Sequence, residues 1–316
     1  MNDNSSIIFA LCSHIGEDEQ IKPLEPREWS DLAKKLFVRQ MEPKTLFLLS
    51  APEIRDALEM DDAALERIRR LLNREASLAF ALNHLQDTGI YVITRADAKY
   101  PKRLKAALGN TCPPLFYYAG ELSLLDRPAV GYAGSRSVTE EDLAFTRNTV
   151  AKTVRHGFIV VSGGAKGVDT AAETAALEEN SAAVSFLSDS LIRKIKAPQN
   201  LKALQKKNML LLSAVNPDAG FHAGTAMMRN RYIYIQSQAT IIVKSDYNKG
   251  GTWSGAVESI KYQWAPVLCR NQAEISGNQA LIDKGAIPID LQWDGDVNQL
   301  LASRIATKAE QLSMFS

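Results

Sequence analysis

The chain has 316 residues and a formal net charge of +1, so it is long enough for two domains and shows no overall basicity that would indicate a nucleic-acid partner. Its three cysteines, Cys12, Cys112 and Cys269, are too widely spaced for a disulfide framework or a zinc site, which favours a reducing compartment. The apolar run 7–12 is too short for a signal peptide or a membrane span, so we expect a soluble cytoplasmic protein with no membrane partner.

The first 88 residues predict a small all-helical domain. Residues 1–25 are polar and mixed and predict only a partly ordered lead-in. Apolar spacing predicts a helix over 26–40, two short proline-opened helices over 43–50 and 52–60, and one long helix over 61–88 that ends at Gly89. Nothing in these helices forms a catalytic constellation, so packing, dimerisation and contact with a DNA backbone all stay open.

From residue 89 the pattern changes to short apolar runs separated by turn residues. Two strands with a basic helix between them form a lead-in, and regular alternation of strands and helices begins at Arg127. Such alternation predicts an α/β domain over 89–295, built on a doubly wound, mainly parallel sheet, with residues 296–316 as a C-terminal helix or tail. The predicted strands are 90–94, 113–120, 128–133, 158–161, 182–187, 209–215, 239–243, 266–269 and 287–289.

Three turns that follow predicted strands have the composition of phosphate sites. A strand, a glycine turn and a helix start direct backbone N–H groups and the positive end of a helix dipole at one point. Right-handed crossovers place such turns on one edge of the sheet, so we expect the three to converge. The alternative is that they are ordinary turns in which glycine supplies a positive φ. The residues are Gly134, Ser135 and Arg136; Ser162, Gly163, Gly164, Ala165, Lys166 and Gly167; and Gly250, Gly251 and Thr252.

Cationic residues are concentrated in one part of this nearly neutral chain. Residues 191–245 contain nine lysines or arginines against one acid, Asp218, which leaves a local charge of +8. Arg229, Asn230 and Arg231 lie within this segment, and arginine forks bind phosphate oxygens well. A solvated face or surface salt bridges would use the same residues, but the charge asymmetry favours a basic track for a polyanion.

Asp169 follows the glycine turn by two residues and has two candidate roles. It could accept a hydrogen bond from a base or ribose, or it could cap the start of its own helix, which we favour. The four histidines have no cysteine or carboxylate partner at ligand spacing, and no G-x-G-x-x-G follows the first strand of the alternation. We therefore predict no metal, no cofactor and no catalytic residue.

In order and spacing, these motifs together resemble the DNA-processing protein A family, also called Smf. The resemblance runs from about residue 31 to residue 290, and the order of the motifs is more specific than any one of them. The segments that match the family pattern are the G-S-R turn 134–136, the S-G-G-A-K-G-V-D segment 162–169, the R-N-R element 229–231, Tyr100-Pro101 with Leu104, the segment 114–120, the closing segment 278–286 and, loosely, 250–252.

The resemblance implies an extended Rossmann-like fold after a SAM-like helical domain. It also implies single-stranded DNA in a basic pocket, a homodimer, delivery of the strand to a RecA-type recombinase in transformable bacteria, and no enzymatic step. Carried over by position, Arg136 and Lys166 hold backbone phosphates, the glycine turn adds N–H donors, and Arg229 or Arg231 supports that surface.

The chain also departs from the family pattern. Glu173 stands where the family usually has histidine, Gly164 where it usually has leucine, and Trp253 interrupts a loop of small residues. A divergent paralogue in mobile-element or phage-defence settings is therefore one context to consider beside DNA uptake.

Two other functions stay open. A nucleotide sensor or phosphoribohydrolase of the lonely-guy-like superfamily would use the 250–252 turn, with Glu258 as acid or base in N-glycosidic cleavage, although Trp253 disturbs the spacing. A role based only on protein interaction through the N-terminal helices is neither supported nor excluded. If the chain binds DNA, Phe186, Phe221 and Tyr247 are candidates to stack on a base.

Overall fold

The computed structural model describes residues 1–15 and 21–303 and consists of two compact units. Unit 1 comprises Met1–Leu122 and Leu187–Ala226, and unit 2 comprises Ser123–Phe186 and Met227–Ser316. The chain thus leaves unit 2 after Phe186 and returns to it at Met227, so the units do not follow a boundary at residue 88. The division into 1–88, 89–295 and 296–316 stays a prediction, and residues 297–303 are helical before the described part ends.

Within the described ranges, the structure contains nine strands and thirteen α-helices for which both ends are defined. The helices are α1 (Asp3–Cys12), α2 (Pro26–Val38), α3 (Ala51–Leu58), α4 (Asp62–Leu72), α5 (Glu75–Asp87), α6 (Lys102–Leu108), α7 (Glu140–Arg155), α8 (Val168–Glu178), α9 (Leu191–Lys196), α10 (Pro198–Gln205), α11 (Ala223–Gln236), α12 (Gly250–Tyr262) and α13 (Ser276–Asp283). The strands are β1 (Tyr91–Thr94), β2 (Leu115–Gly120), β3 (Ala129–Ala133), β4 (Ile159–Ser162), β5 (Ala183–Leu187), β6 (Met209–Ser213), β7 (Ala239–Ile242), β8 (Val267–Arg270) and β9 (Ile287–Ile289). Short 3-10 turns occupy Pro43–Phe47, Gly109–Thr111 and Leu122–Asp126.

The lead-in predicted for residues 1–25 is wrong in its first half, because Asp3–Cys12 is a helix. The Asn2 side chain accepts a hydrogen bond from the Ser5 N–H at 2.8 Å and so caps this helix. Its apolar residues 7–12 are all buried. Phe9 packs edge-on against Tyr117 in unit 1, with ring centroids 6.5 Å apart. Residues 16–20 of the predicted lead-in lie outside the described part of the chain.

The single helix predicted over 61–88 is two helices, α4 and α5. Asp61 begins the first as predicted, and its carboxylate accepts the Ala64 N–H at 2.7 Å. Between the two helices, the buried Arg74 guanidinium donates to the carbonyl oxygens of Ala10 at 2.7 Å and Ser13 at 3.2 Å. These bonds satisfy carbonyls at the end of α1, so a contact with a distant element accompanies the break.

The strands of unit 1 pair antiparallel, in the order β1-β2-β6. Tyr91 pairs with Tyr118, and Tyr117 pairs with Ser213. The antiparallel pairing of β6 with β2 has no signal in the sequence, because a continuous apolar run does not reveal the direction of the neighbouring strand. A Cβ on Gly120, whose φ is +104°, would lie 2.1 Å from the Met209 carbonyl oxygen, so glycine is required where β2 meets β6.

The strands of unit 2 form the predicted parallel sheet, in the order β5-β4-β3-β7-β8-β9. From β3, the chain builds outward to β4 and β5 on one side and to β7, β8 and β9 on the other. The strand order therefore reverses between β3 and β7, which is where open α/β sheets bind their ligands. A buried cluster that includes Tyr234, Trp253 and Leu281 packs the helices of this unit against β7 and β8.

Several expectations about composition can also be compared with the structure. The three cysteines are buried free thiols. No helix in the described ranges combines the length and apolarity needed to cross a membrane. Within those same ranges, no group of three or more histidines, cysteines and acids could hold a metal ion.

Candidate nucleic-acid interface

The first two predicted turns, 134–136 after β3 and 162–167 after β4, lie in direct contact. A Cβ on Gly134 would lie 2.4 Å from the Val168 side chain, and a Cβ on Gly167 would lie 2.4 Å from the Ser135 carbonyl oxygen and 3.0 Å from the Arg136 Cα. Gly167 also has a φ of +84°, which side chains other than glycine's rarely allow. The two glycines therefore permit a backbone approach that brings the turns together as predicted.

Arg229 of α11 supports the 162–167 turn from inside the protein. Its Nη1 lies 3.3 Å from the Asp169 carboxylate, and the two side chains are 5% and 8% exposed. A Cβ on Gly163 would lie 1.0 Å from that Nη1, so the guanidinium occupies the space that a side chain would fill. The Arg229 Nε is buried and has no hydrogen-bond partner among the described residues. Burial makes Arg229 a support of the turn rather than an exposed cation.

Two amides of the glycine turn already donate to carboxylates on α8. The Gly164 N–H donates to Glu173 at 2.9 Å, and the Ala165 N–H donates to Asp169 at 3.4 Å. Both acids are buried, and they are four residues apart, so they share one face of the helix. Sequence reasoning missed the role of Glu173, although its spacing from Asp169 was a signal for it. These two amides are therefore occupied in the structure, and we do not assign them to a phosphate.

Of the two roles considered for Asp169 from the sequence, the structure tests only the helix cap, and contact with a base or ribose stays a prediction. Gly167 is the residue before α8, and no side chain caps this helix, so the favoured cap is wrong. The carboxylate instead holds the Ala165 amide and pairs with Arg229. Burial raises the pKa of Asp169 above its ordinary value, and the positive charges of Arg229 and Arg136 act in the opposite direction.

The third predicted turn, 250–252, is connected to the other two through α11. A Cβ on Gly251 would lie 2.6 Å from the Asn230 Nδ2, and the Tyr234 hydroxyl donates to the Thr252 carbonyl oxygen at 3.3 Å. Asn230 directly follows Arg229, which lies against Gly163. Two consecutive residues of one helix therefore contact two glycine turns, and the three turns lie at the same edge of the unit 2 sheet.

The basic segment 191–245 does not form one continuous track within unit 2. Six of its nine cations, residues 193–207, belong to unit 1. The three in unit 2 are all paired: Arg229 with Asp169, Arg231 with Glu258, and Lys244 with Asp142. All three residues therefore form ion pairs, as the salt-bridge alternative held for Arg229 and Arg231, and a track of DNA contacts through them stays a prediction.

Glu258, the acid of the alternative hydrolase hypothesis, is part of one of these pairs. The Arg231 guanidinium donates from Nε and Nη2 to the two oxygens of the Glu258 carboxylate, both at 2.8 Å. This bidentate arrangement engages both oxygens of the carboxylate. It is the geometry of a structural ion pair and gives no support to a proton-transfer role.

Exposed cations do occur around the three turns, at Arg136, Lys166 and Lys249. Lys166 also lines an open groove of about 420 Å³ that includes Val138 and Leu143 from the α7 side and Ala171 from α8. Thr139 fixes the start of α7 at this groove, because its side chain accepts the Asp142 N–H and the Asp142 carboxylate accepts the Thr139 N–H.

The three aromatic residues considered for base stacking have different surroundings. Phe186 is fully buried and packs edge-on against Tyr232, so it is wrong as a stacking candidate. Phe221 is exposed but belongs to unit 1. Tyr247 is exposed and precedes the 250–252 turn within unit 2.

Comparison with known proteins gives consistent matches. Residues 91–299 match the family model described as DNA recombination-mediator protein A. The chain is 28% identical to Protein Smf of Synechocystis over 225 residues, and this aligned region covers 62% of this chain and 54% of that protein. The X-ray structure of DNA processing protein A from Streptococcus pneumoniae has a TM-score of 0.65 at 20% identity, covering 92% of this chain and 95% of that chain.

A second solved structure is reported as giving insights into the unique single-stranded DNA binding mode of DNA processing protein A from Helicobacter pylori. It has a TM-score of 0.54 at 28% identity, covering 68% of this chain and 96% of that chain. The chain spans about half the length of the curated relatives that it matches. The family model covers residues 91–299, well over half of the chain, so the chain belongs to the DNA recombination-mediator protein A family.

Proposed function

We propose that this protein binds single-stranded DNA through its phosphate backbone, as a DNA-processing protein that catalyses no reaction on the strand. The binding edge is the one at which the 134–136, 162–167 and 250–252 turns meet. The observation that carries the proposal is the contact of Gly167 with Ser135 and Arg136, because it places two exposed cations, Arg136 and Lys166, on adjoining turns.

The side chains, more than the turn amides, supply the phosphate contacts in this proposal. The Gly164 and Ala165 amides are engaged by Glu173 and Asp169, whereas Arg136 and Lys166 are exposed. An arginine fork and a lysine ammonium both bind phosphate oxygens, and each contact releases a counterion from the strand. Binding by this means is insensitive to base sequence and steeply dependent on salt.

The relative from Helicobacter pylori supports the choice of ligand. Its reported single-stranded DNA binding mode belongs to a chain of which 96% is covered here at 28% identity. Single-stranded DNA is therefore the polyanion that we propose for this edge, and a duplex is the natural competitor in any test.

Further parts of the proposal rest on family membership. They are a homodimer, a cytoplasmic location, delivery of the strand to a RecA-type recombinase, and a role in DNA uptake or in mobile-element or phage defence. Light scattering of the purified protein at several concentrations measures the first of these directly, and a mass of twice 34.8 kDa is the expected result.

Lys166→Glu is expected to weaken binding of a fluorescent oligo-dT by about tenfold or more, because it removes a charge-assisted phosphate contact and adds repulsion. The matched control is Lys284→Glu, which makes the same charge change just after α13, at the opposite edge of the sheet. Fluorescence anisotropy at fixed salt measures both. Equal affinities of the two variants, at the level of the unaltered chain, would remove Lys166 from the interface.

A further inference from the structure

An exposed aromatic ring stands beside the third turn, on a rigid support. Tyr247 lies between β7 and α12 and is 63% exposed. Its ring meets Trp253 edge-on, with centroids 5.2 Å apart and planes at 68°. Trp253 is only 7% exposed and belongs to the buried cluster with Tyr234 and Leu281. The tyrosine thus rests on the core and presents much of its surface to solvent.

The backbone around Tyr247 is held in place by a fully buried asparagine. The Ser245 N–H donates to the Asn278 Oδ1 at 2.9 Å, and the Asn278 Nδ2 donates to the Val243 carbonyl oxygen at 3.1 Å. A Cβ on Gly277 would lie 2.0 Å from the Ser245 carbonyl oxygen, so α13 begins in close contact with this segment. A ring held at both its backbone and its edge loses little conformational entropy when a ligand stacks on it.

The position of Tyr247 determines which ligand it would contact. The segment follows β7, so the ring lies at the edge of the sheet where the switch point and the three turns are. It precedes the exposed Lys249 and the Gly251 backbone, against which Asn230 lies. A flat aromatic face next to cationic and amide donors matches the two parts of a nucleotide, namely the base and the phosphate.

We propose that Tyr247 is a stacking platform for one base of the bound strand, supported by Trp253 as a positioning residue. This inference rests on the proposed function and adds a base contact to a surface otherwise recognised through phosphates. Every base has a π face, so the contact raises affinity without reading sequence. The proposal also explains why an aromatic residue stands at position 247. Trp253, and not Tyr247, belongs to the buried cluster, so packing of the core does not require the Tyr247 ring.

The test compares two strands of equal charge, an oligo-dT of about twelve nucleotides and an abasic strand of the same length. Tyr247→Ala is expected to weaken oligo-dT binding by about tenfold, within the range measured for single stacked bases, and to leave the abasic strand unaffected. Tyr247→Phe keeps the ring and is expected to bind as the unaltered chain does. The melting temperature of each variant monitors folding.

Tyr262→Ala is the matched control. Tyr262 is also an exposed tyrosine on a tryptophan, stacked on Trp264 with centroids 5.4 Å apart, but it ends α12 about 18 Å from the start of the helix. Removal of the Tyr262 ring is expected to change neither the affinity for oligo-dT nor the affinity for the abasic strand. Photo-cross-linking of a 5-iodouracil strand to the unaltered chain gives a second readout, expected in the peptide that contains Tyr247.

The outcomes separate this inference from the proposed function. If the unaltered chain binds oligo-dT but Tyr247→Ala binds it equally well, or loses affinity equally for the abasic strand, the stacking role is wrong and the phosphate interface stands. A cross-link confined to other peptides would also overturn it. An unaltered chain that binds no single strand would overturn both proposals together.

Discussion

Arg229→Met is expected to lower the free energy of unfolding by about 3–5 kcal/mol, the usual cost of removing one partner of a buried ion pair. The substitution leaves the Asp169 carboxylate buried against the Ala165 amide with its nearest cation gone. Chemical denaturation near neutral pH measures the loss. The matched control is Arg231→Met, on the same helix, whose pair with Glu258 is 35% and 32% exposed, so it is expected to cost about 1 kcal/mol or less.

The same variant has an expected pH dependence. Burial already raises the pKa of Asp169 above 3.8, and removal of Arg229 raises it further. A carboxyl whose pKa is higher in the folded than in the unfolded state binds more protons in the folded state. The free energy of unfolding therefore falls as pH rises from about 3.8 through the folded-state pKa. The loss caused by Arg229→Met is therefore expected to be smaller at pH 5 than at pH 8. A loss that is small at both pH values would contradict the buried-pair account.

The double variant Arg229→Met with Asp169→Leu isolates the pair itself. Replacement of both members by apolar side chains leaves no unpaired buried charge, so it is expected to restore much of the stability that the single change removes. The two changes should then be strongly non-additive in a double-mutant cycle. Additive losses would mean that the residues act independently.

Gly167→Ala is expected to reduce both stability and oligo-dT binding. The residue has φ +84° and ψ −128°, a conformation that costs about 1–3 kcal/mol for a side chain other than glycine's. The new Cβ would also meet the Ser135 carbonyl oxygen at 2.4 Å and push the 134–136 turn away from Lys166. Denaturation and anisotropy on the same sample measure the two effects.

Gly157→Ala separates the strain from the clash. Gly157 has the same φ of +84°, but a Cβ there would meet nothing within 4 Å. Its loss of stability is expected to be about 1–2 kcal/mol, from conformation alone, with no change in DNA binding. If Gly167→Ala costs no more than Gly157→Ala and binds oligo-dT normally, the contact between the two turns is not needed for the interface.

The sequence predicts the alternating part of the fold well because its strands are short apolar runs bounded by turn residues. The parallel strands β3, β4, β7, β8 and β9 are confirmed. The first helix was missed for the opposite reason. Residues 7–12 are buried on every side, so they form a continuous apolar run without helical periodicity.

The antiparallel pairing of β6 with β2 and the break between α4 and α5 depend on distant parts of the chain. β6 is a uniformly apolar strand, and its antiparallel partner β2 comes much earlier in the sequence. The break at Arg74 coincides with hydrogen bonds to carbonyls of α1 and its end, more than sixty residues away. Neither feature has a local signal in the sequence.

The candidate nucleic-acid interface also combines features that local sequence predicts with features that it does not. Each glycine turn is recognisable locally, because a strand, a turn and a helix start are continuous in sequence. The acids that occupy the Gly164 and Ala165 amides come from the following helix, and the arginine that pairs with Asp169 is sixty residues away. Local composition therefore identified the turns, whereas the groups that the turns hold are set by the tertiary fold.

The most direct test of the central claim is the salt dependence of oligo-dT binding, with a duplex of the same sequence as competitor. The unaltered chain is expected to prefer the single strand, with an affinity that falls steeply as salt rises. The variant Arg136→Gln with Lys166→Gln should show a slope of log affinity against log salt that is smaller by about 1.4, since each lost phosphate contact on a single strand contributes about 0.7. An unchanged slope, or a preference for the duplex, would contradict the account.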